Sequence, residues 1–377
     1  MRKIVLVAGI ANSVANFRGP LIAELVGRGD RVLALAPDWD DEQRTLTRAL
    51  GAEPLDYSLE RTGMRLSRDL VDIVRLWRRL RRLKPDTVLC YSPKAVNYGT
   101  LAAAAAGVRR RVGIVEGLGY VFTEGEGAKS LKRRALRFAT MRLYTLALAF
   151  AHRVLFLNRD DRALFVSSGM VNARKTEVIG GIGVDLTKFT PTPFPDQVTF
   201  LLIARLLREK GIGEFVAAAR LVRARFPAAR FILLGPIDSN PGGLSRDQIL
   251  AWVAEGILEW PGEVSDVREW IARASVYVLP SYREGVPKST QEAMAMGRPV
   301  ITTDAVGCRE TVDEGVNGFM VPIRSIEPLA QAMFRFLEDP ALIASMGAQS
   351  RRIAETRFDV HLANQRLLDA LDGRSAE

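Results

Sequence analysis

Two cysteines and two histidines are all that 377 residues contain: Cys90, Cys308, His152 and His361. Each cysteine lies within or beside an apolar run, which argues against a disulfide framework or a cysteine-ligated metal and suits a reducing cytoplasm. Aromatic residues make up only 7% and are scattered, so the stacking platforms of a nucleic-acid-binding module are missing. No apolar run reaches the roughly 18 residues of a spanning helix; "LYTLALAFA" at 143–151 falls well short. The opening "MRKIVLVAGI" has a basic flank, but its apolar run is short and no small-residue cleavage site follows. It reads as a first buried strand. Two nucleotide fingerprints are absent as well. Gly9 and Gly19 in "GIANSVANFRG" stand too far apart for G-x-G-x-x-G, and no G-x-x-x-x-G-K-S/T loop occurs. A dehydrogenase or phosphate-loop enzyme is thereby demoted.

What is present is a globular composition, 48% apolar and 25% charged, in a chain too long for one hydrophobic core. Strand-like runs alternate with helical patterns from the start: "KIVLVAG", a helix near 18–28, "RVLALAP", a helix near 41–50, a helix near 67–83, "TVLCYS", a helix near 95–106, "RRVGIVEG", a basic helix near 128–150 and "RVLFLN". That alternation implies a doubly wound parallel sheet. Three prolines in "KFTPTPFPDQV" at 188–198 suit a stiff extended linker. The alternation then restarts with "VTFLLIAR" and runs to "GFMVP", giving a second sheet, and three helices fill 326–372. The fold class is therefore α/β, two Rossmann-like domains facing each other across a cleft. Their expected extents are 1–187 and 188–356, with a terminal helix over 357–377 returning to the first domain.

Lys and Arg number 53 against 43 acids, and the excess gathers in the first half: Arg78 to Lys84, Arg109 to Arg111, and Lys129 to Arg142. This concentration favours an anionic membrane surface over solvated helix faces or nucleic acid. In the second half, "LLIARLLREKGI" ends a strand at Arg205 and places Lys210 and Gly211 just before a helix, a competent site for a diphosphate. "SYREGVPKSTQEAMAMG" carries Glu284 in a turn and Glu292 eight residues on in a helix, so the two acids reach different parts of one elongated ligand. Gly285 lets the loop approach that ligand closely, and Pro287 with Ser289 fits a helix start with free N–H groups. Asp38 and Asp40 in "PDWDD" form an Asp-x-Asp, which reads as a helix cap in preference to a metal-diphosphate clamp.

The constellation resembles the retaining GT-B glycosyltransferases of family four, whose E-x7-E signature matches Glu284 and Glu292. "GIGVD" at 181–185, "ARLLREKGI" at 204–212 and the long stretch at 260–322 extend the match. "NFRGPLI" and "GLGYVF" are most similar to bacterial enzymes that extend diphospho-undecaprenol-linked sugars, including N,N'-diacetylbacillosaminyl-diphospho-undecaprenol N-acetylgalactosaminyltransferases and capsule or O-antigen transferases. The resemblance implies transfer of a hexose or N-acetylhexosamine from a nucleotide sugar, usually a UDP sugar, to a lipid-linked saccharide without a metal. It implies a protein that is cytoplasmic and peripheral on the inner face of the cell membrane, with no nucleic-acid partner. Arg205 and Lys210 would grip the diphosphate, Glu292 the ribose and Glu284 the donor sugar. Gly285, Val286, Pro287, Lys288 and Ser289 would line sugar and phosphates, Val264 would sit beside the base, and Gly19 would pass close to the diphosphate. Relatives carry a first-domain histidine on the sugar; here His152 reads as structural, and Glu116 in "VEGLGYVF" is the candidate for that contact. The alternatives are a GT-B enzyme with a soluble acceptor, of the glycogen type, or a sugar-nucleotide epimerase.

Overall fold

Residues 4–7, 200–202 and 276–279 are wholly buried apolar runs, the signature of strands covered on both faces. The structure, a computed structural model, describes residues 1–60, 66–118, 122, 131–238, 240 and 242–374, the side chains of 66, 67, 132 and 133 excepted. It divides into two compact units: Met1–Ile182 with Ala363–Glu377, and Gly183–Leu362.

The first unit is built on strands β1 (Lys3–Val7), β2 (Arg31–Ala36), β3 (Glu53–Asp56), β4 (Thr87–Tyr91), β5 (Arg110–Val115), β6 (Arg153–Phe156) and β7 (Thr176–Val178). They form one sheet in the order β3-β2-β1-β4-β5-β6-β7, and every pairing is parallel. Among its helices are α1 (Asn12–Gly27), α2 (Asp41–Ala49), α3 (Leu66–Leu83), α4 (Pro93–Ala105), α5 (Leu131–Ala149) and α6 (Arg159–Ser167). The strand order reverses between β1 and β4, which opens a ligand-sized crevice at their carboxyl ends in folds of this kind.

α1 begins six residues before the sequence pattern indicated, so Gly19 sits inside a helix and not in a loop. Its missing side chain makes room for Leu50, 3.4 Å from an ideal Cβ, and helical N–H groups are spent on carbonyls one turn back. Gly19 therefore cannot offer backbone to a diphosphate. Asp40 caps α2, accepting from the Gln43 N–H at 2.7 Å. His152 Nδ1 accepts from the Arg111 N–H at 3.2 Å, a structural bond.

The basic excess is also partly internal. Arg110 donates to Ala370 O and Arg111 to Phe150 O, and burial lowers the pKa of both guanidiniums. Arg2 and Arg28 pair with Asp372. The bonds to Ala370 and Asp372 tie the terminal helix, from Ala363 on, into the first unit.

The second unit carries β8 (Thr199–Ile203), β9 (Arg230–Leu234), β10 (Glu259–Gly262), β11 (Val276–Leu279), β12 (Val300–Thr303) and β13 (Gly318–Val321), all parallel in the order β10-β9-β8-β11-β12-β13. Its switch point lies between β8 and β11. The helices are α7 (Ile212–Arg225), α8 (Arg246–Ala254), α9 (Arg268–Ala272), α10 (Lys288–Ala295), α11 (Ile326–Glu338) and α12 (Ala341–Arg357), followed by α13 (Val360–Asp372), which crosses into the first unit's residues. Along the last three helices Phe336, Ile343, Met346, Ile353, Phe358 and Leu367 are buried, whereas Leu362 is 42% exposed.

The proline-rich stretch is not a free linker. Arg298, 1% exposed, donates to Thr192 O and Pro193 O and lies over the Phe194 ring at 4.6 Å. A buried guanidinium satisfied by carbonyls thus fastens the stretch to the second unit. Gly183 is fastened there too, donating to Gln291 Oε1 at 3.1 Å.

Candidate active site

The two loops that leave the second unit's switch point touch. β8 runs into Ala204–Arg205, then a short 3-10 turn, Arg208–Lys210, and Gly211 at the start of α7. β11 runs into Pro280–Glu284. Tyr282 N–H donates to Glu209 O at 2.9 Å, and the Tyr282 hydroxyl donates to Glu214 in the first turn of α7. Gly211 has φ +70, and a Cβ there would fall 2.1 Å from Pro280 O. Only glycine permits this approach, and it brings the α7 N-terminus, with its unpaired N–H groups, against the Glu284 loop.

Two of the candidate side chains meet across these loops. Lys210 Nζ lies 2.5 Å from Glu284 Oε1, both side chains being mostly buried. Ser281 Oγ donates to the same oxygen at 2.7 Å. Arg205, half exposed, pairs with Asp238 at 2.8 Å. One cation is thus fixed in the wall of the site, while the other stands at its edge on a long side chain.

α10 starts at Lys288, following Pro287. Lys288 Nζ is 3.2 Å from Glu292 one turn on. Burial raises the Glu292 carboxyl pKa and Lys288 opposes the rise, so this acid protonates more readily than an ordinary glutamate. Val286 is buried, and its carbonyl accepts from Gln291 Nε2 at 3.2 Å. The Ser289 hydroxyl is engaged beneath the loop, with Tyr277 OH at 2.6 Å and Ile203 O at 3.2 Å, so it braces the helix start from the strand side. Val264 is half-buried in the loop after β10.

Three residues that sequence reasoning passed over complete the support. Gln291, wholly buried, links Gly183 to the Val286 and Pro287 carbonyls. Asp238 neutralises Arg205. Gly307, with φ +78, lies so close that a Cβ would fall 2.3 Å from Glu284 O and 2.4 Å from Gly285 O. The signal for Gln291 was its place directly before Glu292; nothing local pointed to Asp238 or Gly307, which the fold brings in from other strands.

In the first unit Glu116 follows β5 and pairs with Arg18, which is 1% exposed. Burial raises the Glu116 carboxyl and Arg18 holds it down. Among the described residues no group of three or more metal-binding side chains gathers anywhere.

Two parallel Rossmann-like units, with cations and carboxylates at the strand-end switch point of the second, give the GT-B architecture. Comparison with known proteins gives the family. The glycosyl transferase 4-like domain matches residues 14–181 and the "glycosyl transferases group 1" domain residues 197–339, and the chain is a glycosyltransferase. The N,N'-diacetylbacillosaminyl-diphospho-undecaprenol alpha-1,3-N-acetylgalactosaminyltransferase of Campylobacter jejuni is 29% identical over 96% of both chains. The UDP-Gal:alpha-D-GlcNAc-diphosphoundecaprenol alpha-1,3-galactosyltransferase of Escherichia coli is 25% identical over 74% of this chain and 73% of its own. Among solved structures, Anabaena HepE in complex with UDP and glucose superposes with a TM-score of 0.79 at 21% identity, covering 99% of this chain and 100% of that one. Sucrose-phosphate synthase of Thermosynechococcus elongatus gives 0.80 at 19% identity, covering 99% of each. Both carry the same fold.

Proposed function

We propose that this glycosyltransferase moves a hexose or N-acetylhexosamine from a nucleotide sugar, with UDP as the expected carrier, to a diphospho-undecaprenol-linked saccharide, retaining the anomeric configuration. The observation that carries this reading is the Lys210–Glu284 pair set against the α7 N-terminus, with Glu292 buried eight residues on. Lys210, Arg205 and the helix end take up the charge that grows on the leaving diphosphate. Glu284 accepts hydroxyls of the transferred sugar, and Glu292 accepts the two ribose hydroxyls, for which an ionised carboxylate is the fitting partner. No side-chain nucleophile is required: the departing phosphate oxygen takes the acceptor's proton as the new bond forms on the same face. Lys210, Arg205 and the helix end do the work a metal would otherwise do, so the reaction is read as metal-independent.

The lipid-linked acceptor follows the two relatives whose names specify it, and α5 supplies a surface for reaching it. Tyr144, Ala147 and Leu148 of that helix are buried, but Leu131 is 79%, Phe138 61%, Leu146 55% and Phe150 45% exposed. Arg134, Arg137 and Arg142 stand among them, exposed, with Arg142 over the Phe138 ring at 5.0 Å. Lys129 lies outside the described residues, as do the side chains of Lys132 and Arg133. An outward stripe of large apolar groups among arginines suits docking at an anionic leaflet, with the apolar groups entering the headgroup boundary. No described helix is long and apolar enough to cross a membrane.

The test is release of nucleoside diphosphate from a panel of nucleotide sugars, with and without a diphospho-undecaprenol-linked saccharide in mixed micelles. One donor should be consumed slowly alone and much faster with the lipid-linked acceptor. Equal stimulation by the free saccharide would leave the transferase but remove the lipid, and no donor consumption by folded protein would remove the donor assignment.

A further inference from the structure

The switch point of the first unit holds a buried ion pair that packing does not explain. Arg18 projects from α1, is 1% exposed, pairs with Glu116 after β5, and lies 4.9 Å from the ring centre of Tyr91 at the end of β4. Its Nη1 reaches Phe17 O at 3.3 Å, while its Nε is buried with no partner. A guanidinium in that position costs desolvation which a medium-sized apolar side chain would avoid, and replacing a buried ion pair with packed hydrophobic residues is often neutral or stabilising. The pair is therefore not there for the fold alone.

The surroundings are set with care. Ser92, directly after β4, holds φ 74, a strained choice for a residue with a side chain, and such strain collects at functional sites. Its Oγ occupies the space a Cβ on Gly9 would need, 2.1 Å away, so the loop after β1 closes onto it. The ends of β4 and β5 thus meet at the Arg18–Glu116 pair, and the loop after β1 packs onto Ser92 next to Tyr91. The Glu116 side chain still keeps 19% of its surface open, which leaves it capable of meeting a ligand.

We infer that Arg18 is a positioning residue: it holds the Glu116 carboxylate aimed at the open side of the strand-end rim, where it accepts a hydrogen bond from a sugar hydroxyl. This rests on the reading of Glu116 as the first unit's sugar contact. Arg18 itself is too enclosed to touch substrate and acts through Glu116. It supplies the charge that a carboxylate in that enclosed place needs, and its fork with the Tyr91 ring fixes the direction.

The experiment compares Arg18→Met, Arg18→Gln and Glu116→Gln, all in the full chain. Selectively 13C-labelled glutamate gives a carboxyl titration for Glu116, identified as the resonance missing from Glu116→Gln; the pH profile of kcat/KM gives the catalytic counterpart. Removing a cation that stabilises the charged form should move the Glu116 midpoint upward by roughly one to three pH units, and the acid limb of the profile should move with it. Arg18→Gln keeps a polar partner without the charge and should show the same shift, which covers the case of Arg18→Met failing to fold. A folded Arg18 variant with unmoved midpoint and limb, while Glu116→Gln is crippled, overturns the role of Arg18 alone. Full activity in Glu116→Gln overturns the sugar contact as well, and the positioning inference falls with it.

Discussion

Replacing Gly307 with alanine should displace the Glu284 loop without altering any side chain assigned to the ligand. The added Cβ would fall 2.3 Å from Glu284 O and 2.4 Å from Gly285 O. Ordinary contact begins at 3.4 Å, so one of the two segments must retreat by about 1 Å, the difference between those distances. Both obstacles are backbone atoms, and the Glu284 N–H is itself bonded to Val306 O at 2.9 Å, so no flexible side chain can absorb the shift. A displacement of about 1 Å at a reacting centre costs on the order of 100-fold in turnover. The left-handed backbone adds about 1–2 kcal/mol of instability for any residue with a Cβ. Gly315 provides the matched control: its φ is +72 and nothing lies within 4 Å of its ideal Cβ. Gly315→Ala should lose similar stability and keep its turnover, whereas Gly307→Ala should lose both. Thermal melts and donor consumption on the two variants separate the effects. Normal turnover in a folded Gly307→Ala protein would refute the claim that Glu284 must stand where this loop holds it.

Other outcomes follow from the same geometry. Lys210→Ala should lower kcat by roughly two to three orders of magnitude, the scale of a lost transition-state charge contact, with circular dichroism unchanged; near-normal turnover would dismiss Lys210 from the diphosphate site. Glu284→Ala should abolish transfer while UDP still binds in calorimetry, whereas Glu292→Ala should mainly weaken UDP binding. Because the Glu292 pKa is raised, the folded state takes up this proton before the unfolded chain does, so acidification through that range stabilises the free protein while weakening UDP. Glu292→Gln should remove that part of the pH dependence of UDP affinity; an unchanged profile would place the ribose elsewhere. Activity should survive chelators, and Asp40→Ala should cost about 1 kcal/mol through the lost α2 cap with turnover intact. Flotation with liposomes should require anionic lipid, weaken with salt, and fall when Phe138 and Leu146 become Ser or Arg134, Arg137 and Arg142 become Gln.

Much of this was legible in the sequence, and the exceptions have physical reasons. Long buried parallel strands announce themselves as unbroken apolar runs, which is why β1, β2, β4, β8, β9, β11 and β12 stood out. β3 (Glu53–Asp56) and β7 (Thr176–Val178) did not: they are the two edges of their sheet, short, and the first carries a proline and two acids, as edge strands do. α6 was passed over because its nine residues are mostly polar, with only Asp161 and Phe165 buried. The start of α1 was hidden because Asn12–Asn16 lacks an apolar stripe, and that hid the helical setting of Gly19. In the site, Lys210 and Glu284 could be read as candidates because each sits in a short turn between a strand and a helix, and Glu292 because it follows Glu284 by eight residues. Asp238 and Gly307 reach it from after β9 and β12, and Arg18 meets Glu116 across 98 positions. Long-range partners of that sort leave no periodic mark on a single chain.

The most direct measurement is the stereochemistry of transfer. With the donor identified by the nucleotide-sugar panel, the product on a diphospho-undecaprenol-linked acceptor is isolated and its new glycosidic linkage assigned by NMR from the anomeric proton and carbon. The proposed front-face displacement, with charge offered to the leaving diphosphate by the Lys210–Glu284 site, predicts the donor's anomeric configuration in the product and one nucleoside diphosphate released per sugar transferred. An inverted linkage, or release of diphosphate with no sugar on the lipid-linked acceptor, would contradict it.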